Sequence, residues 1–143
     1  MHEASSEDRT GRLRWVDLAT VDRAAAKEFY FLLFGWSAED RNCGAGSFST
    51  FAAAGAPFAS LYQLTLRQAQ QGVPSHWTPY VSVRDADAAA RRVYDLGGQV
   101  IVPPQDVAGF ARVSLICDPA GALLGLWQEA SASVSPSERP APP

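Results

Sequence analysis

Thiols and imidazoles are scarce in this 143-residue chain, which has two cysteines and two histidines. Cys43 and Cys117 stand in unrelated contexts, which fits reduced thiols rather than a disulfide framework. His2 belongs to the polar start, so His76 is the one histidine inside the patterned region, and a single imidazole cannot make a metal site alone. Runs of positive charge are absent: the 12 basic residues are scattered singly or in pairs and the formal net charge is −3. That leaves no electrostatic footprint for nucleic acid or an anionic membrane. No apolar segment reaches signal-peptide or membrane-spanning length, and the first eleven residues are polar and acidic, so a cytoplasmic location is expected. Nucleophile elbows, P-loops and dinucleotide fingerprints are missing too, and Gly44-Ala45-Gly46 reads as a short turn.

What is present is repetition. Val16-Asp17-Leu18 before Ala24-Ala25-Ala26 is echoed by Val81-Ser82-Val83 before Ala88-Ala89-Ala90, and Phe58-Ala59-Ser60-Leu61-Tyr62-Gln63 by Leu123-Leu124-Gly125-Leu126-Trp127-Gln128. The pattern predicts α+β architecture: two tandem βαβββ units over residues 12–66 and 76–129, joined by a linker at 67–75 and flanked by disordered tails at 1–11 and 130–143. With 47% hydrophobic residues, the region 12–129 fits one structural domain. Neither half can bury its own sheet face, which implies a joint core or a cleft between curved mixed sheets.

Local signals place the elements. Asp22 can cap a helix with Ala25, Phe29, Leu32 and Leu33 at helical spacing, ended by Gly35. A hairpin is expected around Gly55-Ala56-Pro57, a helix from Ala86 to Leu96 stopped by Gly97-Gly98, and a tight turn at Asp118-Pro119-Ala120-Gly121. Strand alternation assigns Val16, Leu18, Val81, Val83, Leu124 and Leu126 to the helices, and Trp15, Asp17, Thr78, Tyr80, Ser82, Leu123, Gly125 and Trp127 to the opposite face. In the strand 111–116, Val113 and Leu115 are assigned to the helix side, Arg112 and Ser114 to the groove. Three large aromatics with one carboxylate and one guanidinium make a surface suited to a small molecule. Trp77 and Trp36 are expected in a core or a subunit interface.

The two βαβββ units, the Asp-Pro-x-Gly turn before the last strand and the Phe-Tyr…Phe-Gly-Trp end of the first helix resemble the vicinal oxygen chelate superfamily. It includes glyoxalase I, bleomycin-resistance proteins, fosfomycin-resistance enzymes and extradiol dioxygenases. The resemblance implies a glyoxalase/bleomycin-resistance-like fold over about Leu13 to Gln128. In metal-dependent members the ligands come from the first and last strands of each unit. Those positions fall here on Trp15, on Thr78 or Tyr80, on Ser60 and on Gly125, none of which gives a usable donor set, so no metal and no cofactor are expected.

The leading expectation is a metal-independent protein that binds a hydrophobic aromatic or polycyclic small molecule for sequestration, resistance or carriage. Trp15, Trp127 and Tyr80 would stack the ligand; Asp17, Ser60, Tyr62, Thr78, Ser82, Arg112 and Gly125 would line and orient it. The alternative is a metal-independent isomerase, epimerase, lyase or biosynthetic tailoring enzyme with Asp17 or His76 as general base. A metal-dependent dioxygenase or glyoxalase ranks below both. A homodimer is expected from the surplus of aromatic residues.

Overall fold

The computed structural model describes residues 9–42, 47–107 and 109–130; Cys43, the Gly44-Ala45-Gly46 turn and most of both tails lie outside these. The chain divides into two compact units, Leu13–Val81 and a second formed by the residues up to Arg12 with those from Ser82 onward.

In the first unit, β1 (Leu13–Thr20) leads into α1 (Arg23–Phe34), followed by β2 (Ser37–Asn42), β3 (Ser47–Ala53), β4 (Ala56–Gln63), the short α2 (Leu66–Gln70) and β5 (His76–Ser82). The strands lie in the order β2-β3-β4-β1-β5, with β1 parallel to β4 and antiparallel to β5. α1 starts where Asp22 Oδ1 accepts the Ala25 N–H at 3.0 Å and ends at Gly35, whose left-handed φ of 77° lets its N–H reach the Phe31 carbonyl. The hairpin turn is Ala54-Gly55, both at positive φ as a two-residue turn of this hand requires, so Ala56 and Pro57 already belong to β4.

The core of this unit is Leu18, Phe51, Ala59 and Leu61, against which Val16, Ala26, Tyr30, Trp36 and Phe58 pack. Phe58 reaches it through a β-bulge: Phe51 pairs with Ala59 but Ala52 with Pro57, so Phe58 is the extra residue. Its ring meets Trp36 edge-on at 4.6 Å, and Trp36 stacks on Tyr30 at 5.2 Å. Trp77 donates its indole N–H to the Tyr30 hydroxyl at 3.2 Å, so Trp36 and Trp77 share one aromatic cluster.

Two expectations are corrected here. The inward residues of α1 are Ala26 and Tyr30, while Phe29, Leu32 and Leu33 are exposed, Leu32 to 73%. Both stripes are apolar, so helical spacing alone could not choose between them. The linker also carries most of α2, opened by a capping box in which the Thr65 hydroxyl accepts the Gln68 N–H and the Gln68 side chain accepts the Thr65 N–H.

In the second unit, α3 (Ala86–Asp95) precedes β6 (Gln99–Val107), β7 (Ala111–Cys117) and β8 (Leu123–Glu129), with β7 between β8 and β6. Gly98 is required by close approach, because a Cβ there would sit 2.5 Å from the Cys117 carbonyl oxygen. Asp118 holds the last turn by accepting the N–H groups of Ala120 and Ala122, each at 2.9 Å, with Gly121 at φ 95°. The expected phase of β7 is inverted. Arg112 pairs with Asp87 on α3, so Arg112 and Ser114 face the helix side with Leu126 and Gln128, and Val113 and Leu115 share the other side with Gly125 and Trp127.

Candidate functional site

Residues directly opposite one another on neighbouring strands share a face, and β1 has a neighbour on each side. Asp17 lies beside Ser60 of β4 and Thr78 of β5; Ala19 lies beside Tyr62 and His76; Trp15 lies beside Tyr80. Seven of the expected site residues therefore gather on one face of the first unit: Trp15, Asp17, Ser60, Tyr62, His76, Thr78 and Tyr80. Thr50 of β3, opposite Ser60, extends the row.

Hydrogen bonds order the centre of this face. The Trp15 Nε1–H donates to Ser60 Oγ at 2.9 Å, and the Ser60 hydroxyl donates to Asp17 Oδ1 at 2.5 Å. Asp17 as a residue is half-buried, but its carboxyl is largely screened from water. That burial pushes its pKa up to about 6, against the Ser60 hydrogen bond and the nearby His76, both of which pull it down. Tyr62 and Tyr80 are held above the ordinary phenol range by burial first and by the Asp17 charge second, so both remain hydroxyl donors at neutral pH. His76 Nδ1 lies 2.7 Å from the Pro74 carbonyl oxygen, which makes Nδ1 the protonated nitrogen and leaves Nε2 as the lone-pair site of the neutral ring. One carboxyl that changes charge near neutrality, beside two protonated phenols, can accept a proton and stabilise an oxyanion.

The other expected residues belong to the second unit. Ser82 is buried, its backbone paired to Arg12 and Gly11. Gly125 is buried beside Trp127, whose indole N–H donates to Glu129 Oε2 at 3.1 Å. Arg112 does not present a free fork to a ligand: Nε and Nη2 engage Asp87 at 2.7 and 3.1 Å, and Nη1 engages Asp106 at 3.1 Å. Those two carboxylates raise its pKa, as Arg112 lowers that of Asp87.

Trp15 and Trp127 are 8% and 5% exposed, so neither offers a broad open ring. The Arg14 guanidinium lies over one side of the Trp15 ring, 6.0 Å from its centroid. Arg14, Thr50 and Glu129 do not stand out in the sequence. Glu129 lies two residues past Trp127, so strand parity is the signal that could have found it; Thr50 is hidden by the Phe58 bulge. Among the described residues no group of three or more His, Cys, Asp or Glu side chains comes together, whereas a catalytic zinc site uses about three protein ligands.

Residues 12–126 match the family described as Glyoxalase/Bleomycin resistance protein/Dioxygenase superfamily, and the chain belongs to it. CFP32 of Mycobacterium bovis, provisionally named a glyoxylase, is 42% identical over 125 residues, covering 86% of this chain and 48% of that protein. The anthracycline biosynthesis protein DnrV of Streptomyces peucetius is 37% identical over 130 residues, covering 83% of this chain and 47% of that protein. The chain thus spans about half the length of these curated relatives. Among solved structures, methylmalonyl-CoA epimerase from Mycobacterium tuberculosis aligns with a TM-score of 0.63 at 20% identity, covering 85% of this chain and 89% of that one, which establishes the shared fold.

Proposed function

We propose that the protein binds a planar aromatic or polycyclic small molecule bearing a carbonyl group, and that Asp17 exchanges a proton with it without a metal. The observation that carries this reading is the Asp17 carboxyl, lifted to about 6 on the face that also holds Tyr62 and Tyr80. Asp17 takes a proton from the carbon next to the carbonyl, a tyrosine hydroxyl hydrogen-bonds to the enolate oxygen, and return of the proton to carbon completes an isomerisation or epimerisation. The 37% identity to an anthracycline biosynthesis protein supports a polycyclic ligand and a tailoring role.

The test is deuterium exchange from heavy water into a bicyclic aromatic ketone such as 1-tetralone, followed by NMR. Exchange next to the carbonyl in the wild type, lost in Asp17→Asn while fluorescence quenching by the ketone is retained, is the expected result. Quenching without exchange in the wild type supports the second reading, passive binding for sequestration, resistance or carriage. That reading is favoured by the Ser60 hydroxyl already occupying Asp17 Oδ1. A homodimer and a cytoplasmic location complete the proposal. The exposed apolar stripe of α1 supports the first, and the free thiol of Cys117 the second. No helix among the described residues is long and apolar enough to cross a membrane.

A further inference from the structure

The hydroxyl of Ser60 is caught between a donor and an acceptor, which fixes its direction. An indole N–H can only donate, so Trp15 Nε1, at 2.9 Å, claims an Oγ lone pair and cannot receive the hydroxyl proton. That proton goes instead to Asp17 Oδ1 at 2.5 Å. The three residues come from two strands, with Ser60 and Asp17 directly opposite in the parallel β1–β4 pair, so the sheet register itself holds the chain of donors. Trp15 is buried, which suits a fixed donor better than a stacking platform.

We infer that Trp15 and Ser60 are positioning residues for Asp17: the indole aims the Ser60 hydroxyl at Oδ1, holds the carboxylate in one rotamer and leaves Oδ2 as the oxygen that takes the proton. This rests on Asp17 being the proton-exchanging group, but its test needs no substrate. The other titratable or charged side chains on this face are His76 and Tyr80 of β5, Tyr62 of β4 and, further along the row beside Thr50, Glu39 and Arg41 of β2, and none of them stands between Trp15 and Asp17 in the hydrogen-bond chain. A carboxylate stripped of its hydroxyl donor is harder to ionise, so loss of the relay moves the Asp17 midpoint upward.

The experiment is an NMR titration of the Asp17 carboxyl carbon and the Trp15 indole N–H in the unmodified protein and in three variants. In the wild type the indole resonance is expected to shift with the same midpoint as the carboxyl. Ser60→Ala is expected to raise the Asp17 midpoint by about one pH unit, and Ser60→Thr to restore it. Trp15→Phe keeps the aromatic ring and removes only the N–H, and is expected to raise the midpoint by a smaller amount. An indole signal indifferent to the Asp17 titration in the wild type, or a Trp15→Phe midpoint equal to wild type, overturns the inference whether or not the Ser60 variants fold. Ketone exchange does not enter either readout, so failure of the proposed reaction would leave this result standing and the reverse.

Discussion

Asp17 costs the protein stability at neutral pH. Its folded pKa of about 6 lies above the 3.8 of an unperturbed aspartate, so the folded state binds the proton more tightly than the unfolded chain. The sign is therefore opposite to that of an ion-paired carboxylate such as Asp40 or Asp87: the contribution of Asp17 to stability is greatest below about pH 4, declines as pH rises towards 6, and levels off above. Asp17→Asn should remove this dependence and raise stability at pH 7 by roughly 1–3 kcal/mol, the usual exchange of function for stability at a site residue. Chemical denaturation at pH 5 and pH 7.5 checks it; equal pH sensitivity in variant and wild type would refute the assignment. Arg112→Ala makes the contrasting case. Its fork is spent on Asp87 and Asp106, so ligand affinity should be unchanged and the melting temperature nearly so, as measured by quenching and thermal melts.

Side-chain parity in β1 and β5 is enough, from the sequence alone, to bring Trp15, Asp17, Thr78 and Tyr80 to one face, while Ser60 enters through the family resemblance. The indole-to-hydroxyl bond is not legible there, because it joins residues 45 apart and depends on the register of a parallel pair that sequence does not fix. At the scale of elements, the punctuation reads clearly: Asp22, Gly35 and the Asp118 turn act where their chemistry requires. The phase of β7 does not, since Ala111-Arg112-Val113-Ser114-Leu115-Ile116 offers apolar residues to either side and its neighbour β6 carries two register shifts.

α1 shows the same ambiguity on a larger surface. Its last two turns are apolar nearly all round, and the core takes only Ala26 and Tyr30. The equivalent stretch of the second repeat carries Asp95, Gly97 and Gly98 where the first has Phe31, Leu33 and Phe34, so the apolar dressing belongs to one repeat only. Leu32→Glu should leave stability within about 0.5 kcal/mol of wild type and convert a dimer to the 15.3 kDa monomer in sedimentation. An unchanged sedimentation profile excludes this stripe from the dimer contact. Trp77→Ala, in contrast, removes part of the Tyr30–Trp36–Phe51 cluster and should cost about 2 kcal/mol in denaturant titrations, with normal ligand affinity in the molecules that remain folded.

For the molecule as a whole, sequence repeats and compact units divide the chain at different places. β5 opens the second repeat by its pattern, yet it pairs along β1 and packs with the first unit, which closes at Val81. The second unit draws in the stretch before β1 as well, through Gly11 N–H to Ser82 O at 2.8 Å and Ser82 N–H to Arg12 O at 2.9 Å. A family match spanning both repeats could not have revealed this, because it records which residues correspond and not which strands pair.

The division at Val81 sets a timetable for the chain as it leaves the ribosome. Everything the first unit needs, including the Asp17 face and the aromatic cluster, has been made once β5 is synthesised, whereas the second unit must wait for β8 and keep its earliest segment available until then. The Asp17 face is thus complete in sequence before any of β6, β7 and β8 has been made.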